Sequence, residues 1–319
     1  TDDGIAYFQN EKTPFTGIVE KKSKDGKLEA VISLKDGKLD GKTLTYYPNG
    51  KVQREETFQN ALVNGTVKSY SENGILKYEA NYKNDKIDGL EKYYYPNGKV
   101  EKEISYKNGK IDGLSRHFSD KGILLAEASF TEGQPNGISK EYYPSGKLMS
   151  EQTFLMGSLN GPAKLYYENG KLKLVANNKD GKMNGFSKLY YPNGKLGSEA
   201  TFKDNVQDGL QKDYFEDGKV KLEIPYKNGK VEGTAKEFYP NGKLFVEATY
   251  KNGIKDGYEK SYYETGVLQS EKIVKNGKMD GFSKLYYPNG KLGSEATFKA
   301  DVQVGVQKDY YESGKLKAE

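Results

Sequence analysis

Apolar and polar residues alternate with a period of two along most of the chain, and glycine interrupts the alternation at regular intervals. Residues 89–112 show one unit, GLEKYYYPNGKVEKEISYKNGKID, with turn signals at Pro96-Asn97-Gly98 and Asn108-Gly109. Asn-Gly between alternating segments is typical of hairpins, because a type I′ turn requires positive φ at both central residues. A period of two indicates strands rather than helices. Each unit is therefore predicted to contain two antiparallel strands.

The unit recurs every 24 residues without insertion or deletion. One glycine series occupies positions 26, 50, 74, 98, 122, 146, 170, 194, 218, 242, 266, 290 and 314. A second occupies positions 17, 41, 65, 89, 113, 137, 161, 185, 209, 233, 257, 281 and 305. Such periodicity identifies an internal repeat architecture. Residues 185–203 are identical to residues 281–299, which indicates a recent block duplication.

The turns set the expected strand register. A two-residue Asn97-Gly98 loop would place Lys92 opposite Glu103 and Tyr95 opposite Val100. A two-residue Asn108-Gly109 loop would place Tyr106 opposite Ile111. The alternative at the first turn is a three-residue Pro-Asn-Gly loop with a glycine bulge, which shifts the pairing by one. The two-residue loop is preferred because it pairs a lysine row with a glutamate row.

These features predict an all-β fold. It is an elongated, single-layer antiparallel meander of about thirteen 24-residue β-hairpin repeats, a β-repeat rod whose contacts are between neighbours. Residues 26–319 form a continuous array in this prediction. Residues 1–25 keep the Gly17 register but lack the Tyr-Tyr and Pro-Asn features, so they are interpreted as a divergent N-terminal cap.

Composition removes several classes of function. The chain has 319 residues, no cysteine and one histidine, His117, which excludes disulfides, thiolate chemistry and multi-histidine metal sites. A net charge of +5 is too small to indicate nucleic-acid binding. No run of 18 apolar residues is present, so no transmembrane segment is predicted. Since residue 1 is not Met, we expect a trimmed product, and membrane anchoring would require a missing N-terminal lipid anchor.

Candidate catalytic motifs are accounted for by the repeat. Residues 37–43 resemble a phosphate loop, but the glycines are one residue too close and no helix follows. The glutamate row is uniform, whereas glycoside hydrolysis needs two carboxyl groups in different environments. No Ser or Asp triad surrounds His117. The sequence therefore predicts no enzyme, no cofactor and no metal site.

Two rows of side chains are candidate sites. The lysine and glutamate rows are interpreted mainly as a structural ladder, with anion binding as the alternative; its representative members are Lys92, Glu103, Lys188, Glu199, Lys284 and Glu295. A tyrosine row is the candidate for binding a protein partner, because tyrosine is enriched at interfaces. Packing alone is the alternative for this row, which contains Tyr95, Tyr143, Tyr167, Tyr191, Tyr239, Tyr263 and Tyr287.

The unit Tyr-Tyr-Pro-Asn-Gly-Lys-Leu-x-x-Glu-x-x-Tyr-Lys-Asn-Gly-Lys-x-Asp-Gly resembles the bacterial variant of the MORN repeat over nearly the whole chain. The resemblance implies a string of β-hairpins. The resemblance also implies that this is a bacterial protein that is exported or lipid-anchored, or an antitoxin component paired with a secreted toxin. Unlike eukaryotic MORN repeats, which usually carry Trp, this chain has none.

Three functions are compatible with these observations. The first is a non-enzymatic scaffold, exported to the cell surface or secreted, that presents a long Tyr-rich β-sheet face to a protein partner. The second is an antitoxin or immunity protein that neutralises a toxin, which would be cytoplasmic. The third is a binder of anionic lipid or glycan through the lysine row. The partner's identity and the oligomeric state are left open.

Overall fold

The computed structural model describes residues 5–9 and 11–319, and within these residues regular structure is entirely β. The chain divides into two compact units, residues 1–158 and 159–319. The first unit contains β1 (Gly17–Lys22), β2 (Leu28–Lys35), β3 (Lys38–Leu39), β4 (Gly41–Tyr46), β5 (Val52–Gln59), β6 (Leu62–Val63), β7 (Gly65–Tyr70), β8 (Leu76–Lys83), β9 (Lys86–Tyr94), β10 (Val100–Lys107), β11 (Lys110–Phe118), β12 (Leu124–Thr131), β13 (Gln134–Tyr142) and β14 (Leu148–Leu155).

The boundary between the units falls after the first residue of β15, which is counted here with the second unit. The second unit contains β15 (Ser158–Tyr166), β16 (Leu172–Lys179), β17 (Lys182–Tyr190), β18 (Leu196–Lys203), β19 (Val206–Gln207), β20 (Gly209–Tyr214), β21 (Val220–Lys227), β22 (Lys230–Val231), β23 (Gly233–Phe238), β24 (Leu244–Lys251), β25 (Ile254–Tyr262), β26 (Leu268–Lys275), β27 (Lys278–Tyr286), β28 (Leu292–Lys299), β29 (Val302–Gln303), β30 (Lys308–Tyr310) and β31 (Leu316–Ala318). Within each unit, successive long strands pair antiparallel, as in β9 with β10 and β17 with β18. The predicted all-β antiparallel meander of 24-residue repeats is confirmed.

The Pro-Asn-Gly turn differs from the preferred prediction. The Gly98 amide donates to the Tyr95 carbonyl at 2.9 Å, and the Tyr95 amide donates to the Lys99 carbonyl at 2.8 Å. The loop therefore contains three residues, Pro96, Asn97 and Gly98, with Gly98 at φ 80°. The two-residue loop is wrong here because the Pro-Asn pair forms an ordinary turn that needs a left-handed residue after it, and glycine adopts that conformation without strain.

A second irregularity restores the charge pairing. Val100 pairs with Tyr94 rather than with Tyr95, and the pairing then shifts by one before Lys102 meets Tyr93. This β-bulge compensates for the three-residue loop, so Glu103 still lies opposite Lys92. The two shifts cancel, and the strands keep the register in which opposite charges meet.

The Asn-Gly turn matches its prediction. Tyr106 pairs with Ile111 and Lys107 with Lys110, which leaves a two-residue loop. Asn108 and Gly109 have φ of 51° and 80°, as a type I′ turn requires.

Glycines of the second series lie in a further bulge. Gly113 has φ 106°, and a Cβ added there would lie 3.0 Å from the Cβ of Ser105 on the adjacent strand. Both the backbone angle and the close approach require glycine at this position. In every repeat that shares this backbone angle and close approach, a larger residue would clash, which explains the regular spacing of the series.

Successive repeats are tied together at both ends of the strands. At the Pro-Asn-Gly end, Asn97 Nδ2 donates to the Asp120 carbonyl at 2.7 Å and Lys99 Nζ to the Lys121 carbonyl at 2.8 Å. At the other end, the Asn108 amide donates to Asp88 Oδ2 at 3.3 Å. These contacts join residues 20 to 23 positions apart. They explain why Asn, Lys and Asp recur with the glycines.

The two faces of the sheet differ in burial. Directly paired residues share a face and neighbours along a strand alternate, so Lys92, Glu103 and Tyr94 lie on one side, called here the Lys/Glu face. The opposite side, called the small-residue face, contains Glu91 and Ala80. The buried apolar side chains lie on the small-residue face: Ala30, Val67, Ala80, Ala176, Ala248 and Val274. The packed core of each unit is therefore on this face.

The described part of residues 1–25 contacts the first repeat. The Ala6 amide donates to the Gly37 carbonyl at 2.8 Å, and the Gly37 amide donates to the Phe15 carbonyl at 2.7 Å. These bonds satisfy backbone groups at the Asp36-Gly37 turn. The assignment of residues 1–25 as a cap, and of 26–319 as one array, stays a prediction.

Candidate interaction surface

Lysine and glutamate face each other across the strands of the Lys/Glu face. Lys92 Nζ lies 3.3 Å from Glu103 Oε1, and Lys188 Nζ lies 3.3 Å from Glu199 Oε2. Lys284 and Glu295 pair in the same register, with the Lys284 ammonium 5.3 Å from the centroid of the Phe282 ring. These pairs are half-exposed, and solvent screens their attraction, so each contributes little individually. Their role as a structural ladder stays a prediction.

A tyrosine from the following hairpin completes several of these pairs. Tyr214 donates its hydroxyl to Glu199 Oε1 at 2.6 Å. This hydrogen bond, together with Lys188, lowers the pKa of Glu199 despite partial burial. Burial and the bond to Glu199 raise the pKa of Tyr214 to about 12. The same contact, over 15 residues of sequence, is made by Tyr70, Tyr94, Tyr142, Tyr262, Tyr286 and Tyr310.

The tyrosine row predicted to bind a partner has a second role in the structure. Tyr95 donates its hydroxyl to the carbonyl of Phe118, 23 residues later, at 2.8 Å. Tyr167, Tyr191, Tyr239, Tyr263 and Tyr287 make the equivalent bond at 2.6 to 2.8 Å. Tyr143 lies in the same row and is half-buried. These hydroxyls tie consecutive repeats together and leave half-exposed rings, so partner binding by this row stays a prediction.

Sequence reasoning missed a row of exposed apolar side chains on the Lys/Glu face. In the second unit Phe186, Leu210 and Phe282 are 38%, 44% and 39% exposed. In the first unit Leu114 and Ile138 are 40% and 47% exposed. Each residue directly follows a glycine of the second series. That spacing was a usable signal, but the residue type varies among repeats and the glycine bulge decides where the side chain points.

In the second unit this row alternates with smaller side chains from the adjacent strands. Phe186 pairs with Thr201, Leu210 with Pro225, and Phe282 with Thr297. We call the row Phe186, Leu210, Thr234, Tyr258 and Phe282, with their paired neighbours, the apolar strip.

Lysines border the apolar strip. The ammonium groups of Lys188, Lys260 and Lys284 lie 6.0, 5.4 and 5.3 Å from the ring centroids of Phe186, Tyr258 and Phe282. These are cation–π distances, so the lysine stems and heads partly cover the rings. The strip therefore combines exposed apolar surface with hydrogen-bond donors.

A buried tyrosine–carboxylate cluster was also missed. Glu91, on the small-residue face of the first unit, is only 4% exposed and accepts hydrogen bonds from Tyr78 at 3.1 Å and Tyr93 at 3.2 Å. Burial is the main cause that raises the pKa values of Tyr78, Tyr93 and Tyr106, the last to about 12. The signals were Tyr93 as the first of three consecutive tyrosines and Glu91 where most repeats have a small or uncharged residue.

The equivalent glutamate in the second unit, Glu259, has different partners. Its carboxylate lies 2.6 Å from Lys255 Nζ and 3.2 Å from Lys272 Nζ. The corresponding positions near Glu91 are Ile87 and Ile104. Glu91 is therefore stabilised by phenol donors in a local core, and this cluster packs the first unit.

A groove in the first unit lies mainly on the Lys/Glu face. It has a volume of about 550 Å³, and its lining contains cations, carboxylates and small polar side chains: Lys42, Glu55, Thr57, Thr66, Lys68, Glu79, Ala80, Asn81, Leu90 and Lys92.

Residues 5–9 and 11–319 contain no cluster of three or more acidic or histidine side chains suited to a metal ion. Over the same residues, no helix has the length and hydrophobicity needed to cross a membrane.

Comparison with protein families identifies the class of this chain. The profile described as MORN repeat variant matches eleven segments: residues 39–60, 63–84, 87–108, 135–155, 159–177, 183–204, 207–228, 231–252, 255–276, 279–300 and 303–319. The chain belongs to the MORN repeat variant family. A search of curated proteins finds no match.

Three solved structures have some similarity to this chain, with sequence identities of 8% to 15%. The Photorhabdus luminescens Tc holotoxin pore with a mutant TccC3 is 15% identical over 94% of this chain and 18% of its own, with a TM-score of 0.20. The TcdB2–TccC3 structure is 14% identical over 97% of this chain and 20% of its own, with a TM-score of 0.19. A porin-like protein from Bacteroides uniformis is 8% identical over 91% of each chain, with a TM-score of 0.14. The chain thus spans about a fifth of the Tc proteins.

Proposed function

We propose that this chain is a non-enzymatic repeat scaffold that binds a protein partner through the Lys/Glu face. The observation that carries the proposal is the row of apolar side chains, 38% to 47% exposed, that recurs on this face in each unit. Recurrent exposed apolar groups bordered by polar ones are typical of interaction surfaces.

The chemistry of the neighbouring groups supports binding rather than catalysis. The Glu199 carboxylate is occupied by Lys188 and by the Tyr214 hydroxyl. The same pairing recurs along the Lys/Glu face, so its carboxylates have similar environments, whereas general acid–base catalysis needs groups that differ. The paired lysines likewise favour a protein partner over an anionic lipid or glycan, because much of their field is cancelled.

Export to the bacterial surface or secretion is part of the proposal and is supported by the family resemblance described above. Antitoxin activity is supported by that family resemblance alone. Capture of a toxin by the assay below would favour the antitoxin function, and capture of a surface or secreted protein would favour the scaffold.

The proposal is tested by cross-linking capture with the full chain as bait. Phe186→Ser combined with Phe282→Ser alters the proposed surface. Leu189→Ser combined with Leu285→Ser is the matched control, since these residues lie on the same strands, are 43% and 53% exposed and face the opposite side. A partner retained by the control and lost by the Phe variant supports the proposal. A partner lost only by the Leu variant, or held equally by both, would overturn it.

A further inference from the structure

The pitch of the apolar strip in the second unit points to a particular backbone geometry in its partner. Every second strand contributes a large side chain at four of the five positions and Thr234 at the middle one. The strands between contribute Thr201, Pro225, Thr249, Ile273 and Thr297. Adjacent strands lie about 4.8 Å apart, so equivalent positions recur every ~9.6 Å. Phe186, Leu210, Tyr258 and Phe282 therefore form ridges at four of the five positions, with notches at the exposed Thr201 and Thr297.

Two regular helical backbones can be compared with this pitch. A polyproline II helix has three residues per turn and rises about 3.1 Å per residue, so it repeats every ~9.3 Å. An α-helix with a seven-residue repeat recurs every ~10.5 Å. Against ~9.6 Å, polyproline II drifts by about 0.3 Å per repeat and the α-helix by about 0.9 Å. Over the four intervals from Phe186 to Phe282 the drift sums to about 1.2 Å for polyproline II and about 3.6 Å for the α-helix, so polyproline II stays closer in step with the ridges.

The hydrogen-bonding groups of the strip fit the same backbone. A polyproline II segment forms no internal hydrogen bonds, and proline has no amide donor, so its carbonyls need donors from the partner. The ammonium groups of Lys188, Lys260 and Lys284 border the strip, and Thr297 has an exposed hydroxyl on it. The Thr201 hydroxyl already donates to the Asp208 carbonyl. Pro-rich segments bind grooves lined by aromatic side chains in other proteins. The strip supplies such rings at Phe186, Tyr258 and Phe282.

We propose that the apolar strip of the second unit binds a proline-rich segment in the polyproline II conformation, with one turn of the ligand per 24-residue repeat. This inference rests on the proposed function, because it specifies the class of partner for the same face. Ligand prolines and apolar side chains fill the notches between the large side chains. The ligand crosses the strands on the face of the sheet and does not pair with a strand edge.

Synthetic peptides test the proposal on the full chain. The probes are fluorescently labelled (Leu-Pro-Pro)n peptides of two to five triplets, with a Gly-Ser peptide and a Leu-containing heptad helix as comparisons. Fluorescence anisotropy measures Kd. Each added triplet should tighten binding by about threefold, the change expected from burying roughly 30 Å² more apolar surface. Phe186→Ser with Phe282→Ser should weaken the longest peptide by at least about tenfold, whereas Leu189→Ser with Leu285→Ser should change it less than about twofold.

Three results would overturn the proposal: no saturable binding of the proline peptides, equal effects of the two double variants, or tighter binding of the heptad helix with steps of seven residues. Far-UV circular dichroism checks that each variant keeps its β spectrum. The outcome is separable from that of the proposed function. A captured protein that needs Phe186 but is not displaced by the proline peptide would leave the scaffold function standing and remove the polyproline ligand.

Discussion

The Tyr214 hydroxyl donates a hydrogen bond of 2.6 Å to the carboxylate of Glu199, and Tyr214 lies in the hairpin that follows Glu199 in the chain. The same carboxylate is 3.3 Å from Lys188 on the preceding strand. One glutamate thereby joins three strands, β17, β18 and β20. The arrangement makes each ion pair depend on the next hairpin, and it leads to predictions that the lysine–glutamate pairing alone would not.

Tyr214→Phe should destabilise its hairpin by roughly 1 kcal/mol, the net contribution of one hydrogen bond. The pKa of Glu199 should rise, because the Tyr214 hydroxyl is the main cause of its lowering. Hydrogen exchange at the β18 amides and an NMR titration of Glu199 measure the two effects. Phe238→Tyr is the reciprocal variant, since Phe238 and Glu223 occupy the positions of Tyr214 and Glu199 one repeat later. It should add stability, and a loss from it would contradict this account.

The fold should lose stability between about pH 10 and pH 12. Burial raises the pKa values of Tyr214, Tyr262 and Tyr286 to about 12, above the ordinary value near 10. The stabilisation is fully present below the unfolded pKa and is lost as pH rises through the folded pKa, because the unfolded chain releases these protons first. Tyrosinate absorbance and urea unfolding, followed together, measure this. Phenols that all ionise near pH 10 without loss of stability would refute it.

Lys284→Glu should cost more stability than Lys188→Glu, although both residues lie in identical 19-residue blocks. Lys188 lies between Val175 and Glu199, whereas Lys284 lies between Glu271 and Glu295. Each opposed like charge costs roughly 0.2–1 kcal/mol. Lys284→Glu, which places a glutamate opposite two others, should therefore cost about twice as much as Lys188→Glu, which places it opposite one. Hydrogen exchange at β18 and β28 gives the local values. Lys→Gln at each position serves as the control, and equal costs would show that cross-strand charge has no measurable role.

Gly113→Ala should be more destabilising than Gly133→Ala. Both glycines have positive φ, 106° and 84°, but an added Cβ meets Ser105 at 3.0 Å only in the first case. The backbone strain costs on the order of 1–3 kcal/mol at either position, and the close contact adds to it at Gly113. Thermal unfolding of the two variants compares them. If adding Ser105→Gly to Gly113→Ala restores thermal stability, the contact with Ser105 is the cause of the extra loss. If stability is not restored, the positive φ is the only remaining cause.

The turns show how far local sequence determines local structure. The Asn108-Gly109 loop was predicted correctly because its conformation depends on two adjacent residues. The prediction for the Pro96-Asn97-Gly98 loop is wrong, because a two-residue loop is not the only connection that pairs Lys92 with Glu103. The strands instead combine a three-residue loop with a bulge before Lys102. The loop and the bulge shift the register in opposite directions and cancel. The pairing of Lys92 with Glu103 is the same with or without them, so it gives no sign that they are present.

The 24-residue period can be read from the sequence alone, and so can the strands, the hairpins and the pairing of Lys92 with Glu103. These follow from alternation, turn residues and charge, which act between near neighbours in the chain. Only the tertiary structure decided that Tyr95 bonds to the Phe118 carbonyl, that Tyr214 bonds to Glu199 and that Phe186 is exposed beside Lys188. Those contacts depend on bulges that turn side chains toward one face and on hydrogen bonds between residues 15 to 23 apart. Such geometry is fixed only when neighbouring hairpins pack together.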